Sequence, residues 1–312
     1  MTDIKVWGIS MEINGKTRTY GIIGNPVQHT QSPVIHNTLS RDMGINMVYV
    51  PFHVEQGQLE AAVKGAYGLN ILGMNVTVPY KNEVIPFLTD IDSLAGKIGS
   101  VNTLVRTNGG YKGYNTDITG LMRAMKSDGI LIKDEEVIIL GAGGVGRTAA
   151  FMCAAYGASK VYLLNRSVDK AECVAAEVNE ALSLGNAKSD SEVSLGCVIA
   201  KGLDDYKELT KDGVRRYLVL QCTNIGMSPD MDNVVITDEA FYRCVKLGYD
   251  LIYTPWETKF IKLVKANGGE AYNGLKMLLY QGIDAFELWN SCKVPEESIC
   301  KVYEMLQEKV KC

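Results

Sequence analysis

Four short stretches of this chain group residues able to hold or transform a small anion. Leu140-Gly141-Ala142-Gly143-Gly144-Val145-Gly146 follows the apolar run Val137–Leu140 and opens a helical pattern from Arg147 to Ala155. In such a turn the first glycine permits a sharp bend and the second lets backbone approach a pyrophosphate. The third brings helix and strand close together. The helix N-terminus beyond carries unpaired N–H groups and a partial positive charge, which stabilise a phosphate. Strand, glycine turn and helix in that order predict a dinucleotide site. A glycine-rich turn that binds nothing is the plainer alternative.

The other three stretches lie in the first half. His29-Thr30-Gln31-Ser32-Pro33 sets two hydroxyls two residues apart before a helix, which suits a small carboxylate. Asn75-Val76-Thr77-Val78-Pro79-Tyr80-Lys81 gathers Asn75, Thr77 and Lys81 around a strand-to-helix turn. Strand alternation aims Asn75 and Thr77 to one side, and Pro79 fixes the bend. Asn115-Thr116-Asp117 follows Gly113-Tyr114 at the junction of the two halves. Taken singly, each has a bland reading: a capping serine, a surface lysine, an Asx turn.

Beyond the glycines, the decisive position for the ribose lies about 20 residues on, where NAD-preferring folds carry an acidic residue. Here it is Asn165, in Leu164-Asn165-Arg166-Ser167, with Lys170 one helical turn later. A guanidinium pairs with a 2′-phosphate, which a carboxylate would repel. The pattern favours NADP over NAD. Asp169 keeps an NAD ribose open, and a solvated arginine at a strand end is the bland reading.

Positioning these groups takes two α/β halves. Thr19–Ile23, Met47–Phe52 and Gly73–Val76 read as strands, with helices beginning near Ser32, Gln56 and Lys81. Ser32 followed by Pro33 reads as an N-cap with proline in the first turn. From Asp134 the rhythm is βαβ, with strands at Val137–Leu140, Lys160–Asn165, Tyr217–Gln221 and Leu247–Tyr253. Such alternation implies a parallel sheet covered by helices on both faces. Gly274 to Trp289 and Pro295 to about Val310 read as closing helices, and Ser183–Glu192 as a polar surface loop.

Composition narrows the function classes. The 312 residues suffice for two domains, and 46% hydrophobic with 22% charged residues is ordinary for a globular protein. A net charge of −4 gives no footprint for nucleic acid. No apolar run approaches the roughly 20 residues that cross a bilayer. The start of the chain lacks a signal-peptide pattern. A cytoplasmic protein with neither nucleic-acid nor membrane partners is expected, residues 1–10 being a dispensable extension. The eight cysteines show no paired C-x-x-C spacing, and the three histidines form no cluster, so reduced thiols and no metal are expected.

Together the stretches resemble the shikimate dehydrogenase family from Tyr20 to about Trp289. The resemblance is carried by GNPVQHTQSPVIHN at 24–37, NVTVPYK at 75–81, VNT at 101–103 and GYNTD at 113–117. It continues in GAGGVGR at 141–147, NRS at 165–167 and GLKMLLYQG at 274–282. Order and spacing agree throughout.

The resemblance implies reversible NADP-dependent reduction of 3-dehydroshikimate to shikimate, in the chorismate route to aromatic amino acids. By it, Lys81 matches the catalytic lysine and Asp117 its partner. Thr30 and Ser32 would hold the substrate carboxylate. Thr77, Asn102, Asp117 and Gln281 would bind ring hydroxyls, with Tyr253 a further candidate, while Asn75 braces the loop. Gly141, Ala142, Gly143, Gly144 and Val145, with Asn165, Arg166, Ser167 and Lys170, would form the dinucleotide and 2′-phosphate sites. Leu251 and Gly274 fall where the family contacts the nicotinamide. The implied architecture is two α/β domains. A substrate domain, 1–116, is completed by helices from 274–312, and a Rossmann-type domain spans 117–273. A cleft between them that closes on binding is expected.

Three departures from the family pattern stand out. Thr30 replaces a usual serine, Gln221-Cys222-Thr223 a usual Asn-Ala-Thr, and Ser167 a usual threonine. They leave open a quinate/shikimate dehydrogenase using NAD or both cofactors. A methylene-tetrahydrofolate dehydrogenase fits the hydroxyl-rich loops poorly. A non-catalytic dinucleotide sensor should have lost Lys81 or Asp117, and both are present. The expected assembly is a monomer or homodimer.

Overall fold

In the computed structural model the described residues are 13–186, 197–213 and 217–311. The chain divides into two compact units, Met1–Thr116 with Gly282–Leu306, and Asp117–Gln281 with Gln307–Cys312. The sequence reading places the return to the first unit near Gly274. The division instead falls after Gln281, because Gly274 packs on Leu251 and Gln281 on Gly120, both within the second unit.

The first unit begins with β1 (Arg18–Gly24), α1 (Ser32–Asp42), β2 (Met47–His53), α2 (Leu59–Gly68) and β3 (Gly73–Val76). It continues with β4 (Asp90–Ile91), α3 (Ser93–Ile98), β5 (Thr103–Thr107) and β6 (Gly110–Tyr114). These strands form one sheet in the order β2-β1-β3-β5-β6-β4. β1 runs parallel to β2 and β3, while β3, β5 and β6 alternate in direction. One core gathers Val63, Met74, Val76, Tyr80, Val84, Leu104 and Tyr111.

Two local expectations fail here. No helix begins at Lys81. Isolated turns lead to a 3-10 turn at Ile85–Phe87, because Pro86 has no N–H to continue an α-helical ladder. Nor is Ser32 the N-cap of α1. Gln31 holds that position, its carbonyl accepting from Val34 and Ile35 N–H at 3.0 and 3.4 Å, with Ser32 and Pro33 inside the first turn.

The second unit contains α4 (Thr116–Ser127), β7 (Glu136–Leu140), α5 (Gly144–Ala155), β8 (Lys160–Asn165), α6 (Val168–Asn186), β9 (Cys197–Gly202) and α7 (Tyr206–Leu209). It goes on through β10 (Tyr217–Gln221), α8 (Glu239–Arg243), β11 (Val245–Asp250), α9 (Lys259–Ala266) and β12 (Glu270–Tyr272). Its sheet has the order β12-β11-β10-β7-β8-β9, with every neighbouring pair parallel. This doubly wound order reverses between β7 and β10, the point where such sheets bind ligands. Its core packs Ile138, Leu140, Leu164, Val219, Phe241, Val245 and Phe260.

The chain closes with α10 (Leu275–Asn290) and α11 (Glu296–Lys311). In the first unit, Trp289 of α10 sits where a Cβ on Gly73 would lie, 2.2 Å from its Nε1, and donates to the Leu104 carbonyl at 2.9 Å. Its ring meets Tyr20, His36 and Tyr49 at centroid separations of 5.1, 5.0 and 6.0 Å. In the second unit, Lys311 lies over the Trp256 ring at 4.4 Å. Two expected features fall partly or wholly outside the described residues, the extension 1–10 and the polar loop from 187 onward. Residues 183–186 complete α6. Among the described residues no helix is long and apolar enough to cross a membrane, and no group of three His, Cys, Asp or Glu is placed to hold a metal.

Candidate functional site

In the first unit one edge of the sheet collects most of the polar residues singled out in the sequence. β1 and β3 are parallel neighbours, so the loops leaving their carboxyl ends lie side by side. Asn25 N–H donates to the Val78 carbonyl at 3.0 Å, and Thr77 N–H to the Ile23 carbonyl at 2.9 Å. Gly24 is required there, since a Cβ would stand 2.4 Å from Thr77 Cγ2. The first loop carries Thr30 and Ser32, whose hydroxyls are bonded to each other at 3.2 Å, while Ser32 N–H donates to Thr30 Oγ1 at 3.3 Å. The second carries Thr77 and Lys81, both half-buried, and the Lys81 carbonyl is pinned by Val101 N–H at 2.8 Å.

Because β5 runs against β3, its first residues arrive at this same edge. Asn102 accepts at its carbonyl from Val76 N–H at 2.8 Å. Its side chain is buried, and Oδ1 accepts from Thr116 N–H at 2.7 Å, fixing the first residue of α4. Thr103 Oγ1 donates to Asn102 Oδ1 and lies within bonding distance of Thr116 Oγ1, both at 3.0 Å. Asn75 Nδ2 donates to Thr103 Oγ1 at 3.1 Å and to the Asn102 carbonyl at 3.2 Å, and Asn75 Oδ1 accepts from Tyr49 OH at 2.7 Å. Asn75 is therefore an interior brace. Tyr49, Thr103 and Thr116 share that brace, and only the fold brings them together.

His36, on α1 behind this edge, is fully buried, stacked on Tyr49 at 4.2 Å. Neither ring nitrogen has a hydrogen-bond partner. Burial pushes its pKa down to about 3, so the ring is neutral.

Asp117 and Gln281 belong to the second unit. Asp117 is half-buried in the first turn of α4, one turn before Gly120. A Cβ on Gly120 would stand 2.5 Å from Gln281 N, so the two helices touch there and bring Gln281 beside the Asp117 end of α4.

At the carboxyl edge of the second sheet the geometry is made by missing side chains. Gly141 has φ of 104°, a left-handed conformation that glycine adopts without strain. A Cβ on Gly146 would stand 1.9 Å from the Gly141 carbonyl oxygen, so only glycine lets α5 approach β7 this closely. Gly143, the N-cap of α5, and Gly144 both face open space. The N–H groups of a helix N-terminus are therefore left accessible to an anion. Ala142 is buried, while Val145 is exposed. Asn165 Oδ1 accepts from Ala142 N–H at 3.2 Å and Nδ2 donates to the Ser167 carbonyl at 2.9 Å, tying the glycine turn to the end of β8. Arg166, Ser167, Asp169 and Lys170 are exposed beyond it.

Leu251 and Tyr253 follow β11, half-buried. Burial pushes the Tyr253 phenol upward. The strand stops at Asp250 rather than Tyr253, because the Asp250 carboxylate takes Ile252 N–H at 3.0 Å. Gly274 packs on this segment, where a Cβ would stand 2.2 Å from the Leu251 carbonyl oxygen. Asp250 also bonds Gln221 and Thr258, and neither it nor Thr258 was singled out in the sequence. The apolar run Leu251–Ile252 hid the end of the strand.

The doubly wound sheet, glycine cradle and basic residues after β8 define a dinucleotide-binding protein of the Rossmann type. Family models match three stretches: the shikimate dehydrogenase substrate binding domain over residues 22–104, shikimate / quinate 5-dehydrogenase over 124–192, and the shikimate 5'-dehydrogenase C-terminal domain over 274–299. A shikimate dehydrogenase (NADP(+)) from Desulforamulus reducens is 39% identical over 284 residues, covering 91% of this chain and 93% of its own. A shikimate dehydrogenase solved in complex with NADP+ superposes with a TM-score of 0.81 at 37% identity, covering 96% of this chain and 98% of its own. The shikimate 5-dehydrogenase of Listeria monocytogenes, solved with shikimate and NAD, gives a TM-score of 0.83 at 28% identity, covering 96% and 99%. The chain belongs to the shikimate dehydrogenase family.

Proposed function

We propose that this protein is an NADP-dependent shikimate dehydrogenase, an oxidoreductase that interconverts 3-dehydroshikimate and shikimate in the chorismate route to aromatic amino acids. The observation that carries the reading is the convergence of Thr30, Ser32, Thr77, Lys81 and Asn102 at one sheet edge, in a chain whose second unit carries the glycine cradle. Bound NADPH supplies the hydride. The other requirements fall to residues of the chain.

Thr30 and Ser32, already oriented by their mutual hydrogen bond, hold the substrate carboxylate. Thr77, Asn102, Gln281 and Tyr253 pair with ring hydroxyls, and a site that pairs each hydroxyl rejects analogues lacking one. Hydride addition to a ketone leaves an alkoxide, and the Lys81 ammonium delivers the proton to that oxygen. In the reverse direction the neutral amine takes it back. Asp117 is the carboxylate assigned as its partner in that proton transfer.

The residues present fit NADP. The open N-terminus of α5 suits the pyrophosphate, and Arg166 and Lys170, with Ser167, suit the 2′-phosphate. Leu251 and Gly274 serve the nicotinamide side. A second reading, quinate/shikimate dehydrogenase using NAD or both cofactors, is favoured by Asp169, an exposed carboxylate in the first turn of α6 and the residue type that holds a ribose hydroxyl in NAD folds.

Comparing kcat/KM for shikimate and quinate with NADP and NAD tests both. Shikimate with NADP is expected to give the highest value. Quinate with NAD ahead would transfer the assignment to the second reading, and no turnover of either substrate would overturn both. The proposal places the enzyme in the cytoplasm as a monomer or homodimer, which cell fractionation and sedimentation check.

A further inference from the structure

One buried carboxylate takes no part in the chemistry above. Asp250, the last residue of β11, is inaccessible to solvent and accepts hydrogen bonds from three segments. Gln221 Nε2 donates to Oδ1 at 3.3 Å, Ile252 N–H to Oδ1 at 3.0 Å, and Thr258 Oγ1 to Oδ2 at 2.5 Å. A carboxylate has acceptor sites enough for all three, whereas an amide has one oxygen and would present a donor to Thr258.

Each donor leads outward. The Gln221 amide also donates to the carbonyls of Thr223 and Ile225 at 3.4 and 3.2 Å, and its Oε1 accepts from Thr223 N–H and Oγ1 at 2.6 and 2.7 Å. Thr223 backs the cradle, its Cγ2 lying 2.6 Å from where a Cβ on Gly141 would be. Thr258 Oγ1 accepts from Ile261 N–H at 3.3 Å and so caps α9. The Ile252 carbonyl accepts from Gly274 N–H at 3.1 Å. The loops after β7, β10 and β11 therefore all depend on one interior group.

We infer that Asp250 is a positioning residue for the nicotinamide half of the cofactor, fixing the turn at 222–225 through Gln221 and the segment 251–253 through Ile252. The inference rests on the cofactor site proposed above. It adds a group that touches neither cofactor nor substrate but sets the loops that do.

The test uses the full chain as wild type and as D250N, T258V and T258S. NADP affinity is measured by titration calorimetry, alongside kcat, both KM values and Tm. D250N and T258V are expected to weaken NADP binding roughly tenfold or more while KM for shikimate stays within about twofold, the scale of a small misplacement of a site. T258S, which keeps the hydroxyl, is expected to recover most of the T258V loss. Wild-type affinity in D250N, or equal losses in T258V and T258S, overturns the inference. So do affinity losses that follow Tm across the variants. If D250N does not fold, the Thr258 pair decides. A wild-type protein that binds no NADP would instead overturn the cofactor reading, which keeps the two failures distinct.

Discussion

The carboxyl edge of the second sheet is shaped by what its residues lack, and the polar edge of the first by what its residues reach. Around Gly141, Gly143, Gly144 and Gly146, backbone itself makes the surface, and a methyl added at Gly146 would meet the Gly141 carbonyl oxygen. At the other edge Asn75, Asn102, Thr103 and Thr116 hold one another by side-chain hydrogen bonds. The first kind of site needs a local sequence, and the second needs partners brought from distant strands. The contrast extends to charge. His36, buried beneath the first edge, is held neutral, whereas Asp250, buried beneath the second, has its pKa pushed by burial up to about 7 against the pull of its three donors.

The largest expected effect is chemical. K81A and D117N should each lower kcat by roughly 10²–10⁴-fold with KM for NADP little changed, the scale of a lost general acid or its partner. Steady-state kinetics decides, and unchanged turnover would remove Lys81 from the reaction.

Next comes pH, where the two units should respond with opposite sign. His36 has an ordinary pKa of 6.5 when unfolded and about 3 when folded. The stability tied to its neutral form is present above pH 6.5 and is lost as pH falls towards 3, about 2 kcal/mol by pH 5 with a ceiling near 5 kcal/mol. Asp250 is raised from 3.8 to about 7, so its contribution is full below pH 3.8 and is lost as pH rises through 7. Native-state hydrogen exchange between about pH 5 and pH 7.5 should show the first unit loosening on the acid side and the second on the neutral side. H36F should flatten the acid limb whatever its absolute stability, and an unaltered slope would show that His36 does not cause it.

Two smaller substitutions probe the two building methods directly. G146A forces a Cβ to within 1.9 Å of the Gly141 carbonyl oxygen and should cost about 3 kcal/mol by urea unfolding while also weakening NADP binding. N75L leaves the Tyr49 hydroxyl and Thr103 without their buried partner. It should cost about 2 kcal/mol, lowering kcat without changing NADP affinity. Should N75L weaken NADP binding as G146A does, the division of labour between the edges fails.

How much of this was legible in the chain follows the same contrast. The glycine turn, Lys160–Asn165, Tyr217–Gln221 and Gly73–Val76 were readable because strand, turn and helix signals sit within a few residues of each other. Thr30, Ser32, Thr77 and Lys81 were readable as groups, but not the fact that parallel pairing of β1 and β3 sets their loops together. The hairpin of β5 and β6 carried its own signal, Asn108-Gly109 between two short strands with Gly109 at φ 88°. The helix expected at Lys81 failed on Pro86, and the strand expected to Tyr253 failed on Asp250. In the first case a missing proline N–H stops the helical ladder, and in the second a side-chain carboxylate takes the N–H that a strand would use. A bracing role for Asn75 was legible but not its partners Tyr49 and Thr103, which lie 26 and 28 residues away, and the link from Asp250 to Gln221 spans 29 residues.

The seating of Trp289 gives the molecule a built-in optical probe. Its indole is held over Gly73 in contact with Tyr20, His36 and Tyr49, so its emission should report the packing of the first unit. Trp256, under Lys311, belongs to the other unit. With Trp7 replaced, two single-tryptophan versions of the chain would let each half be watched unfolding by its own light.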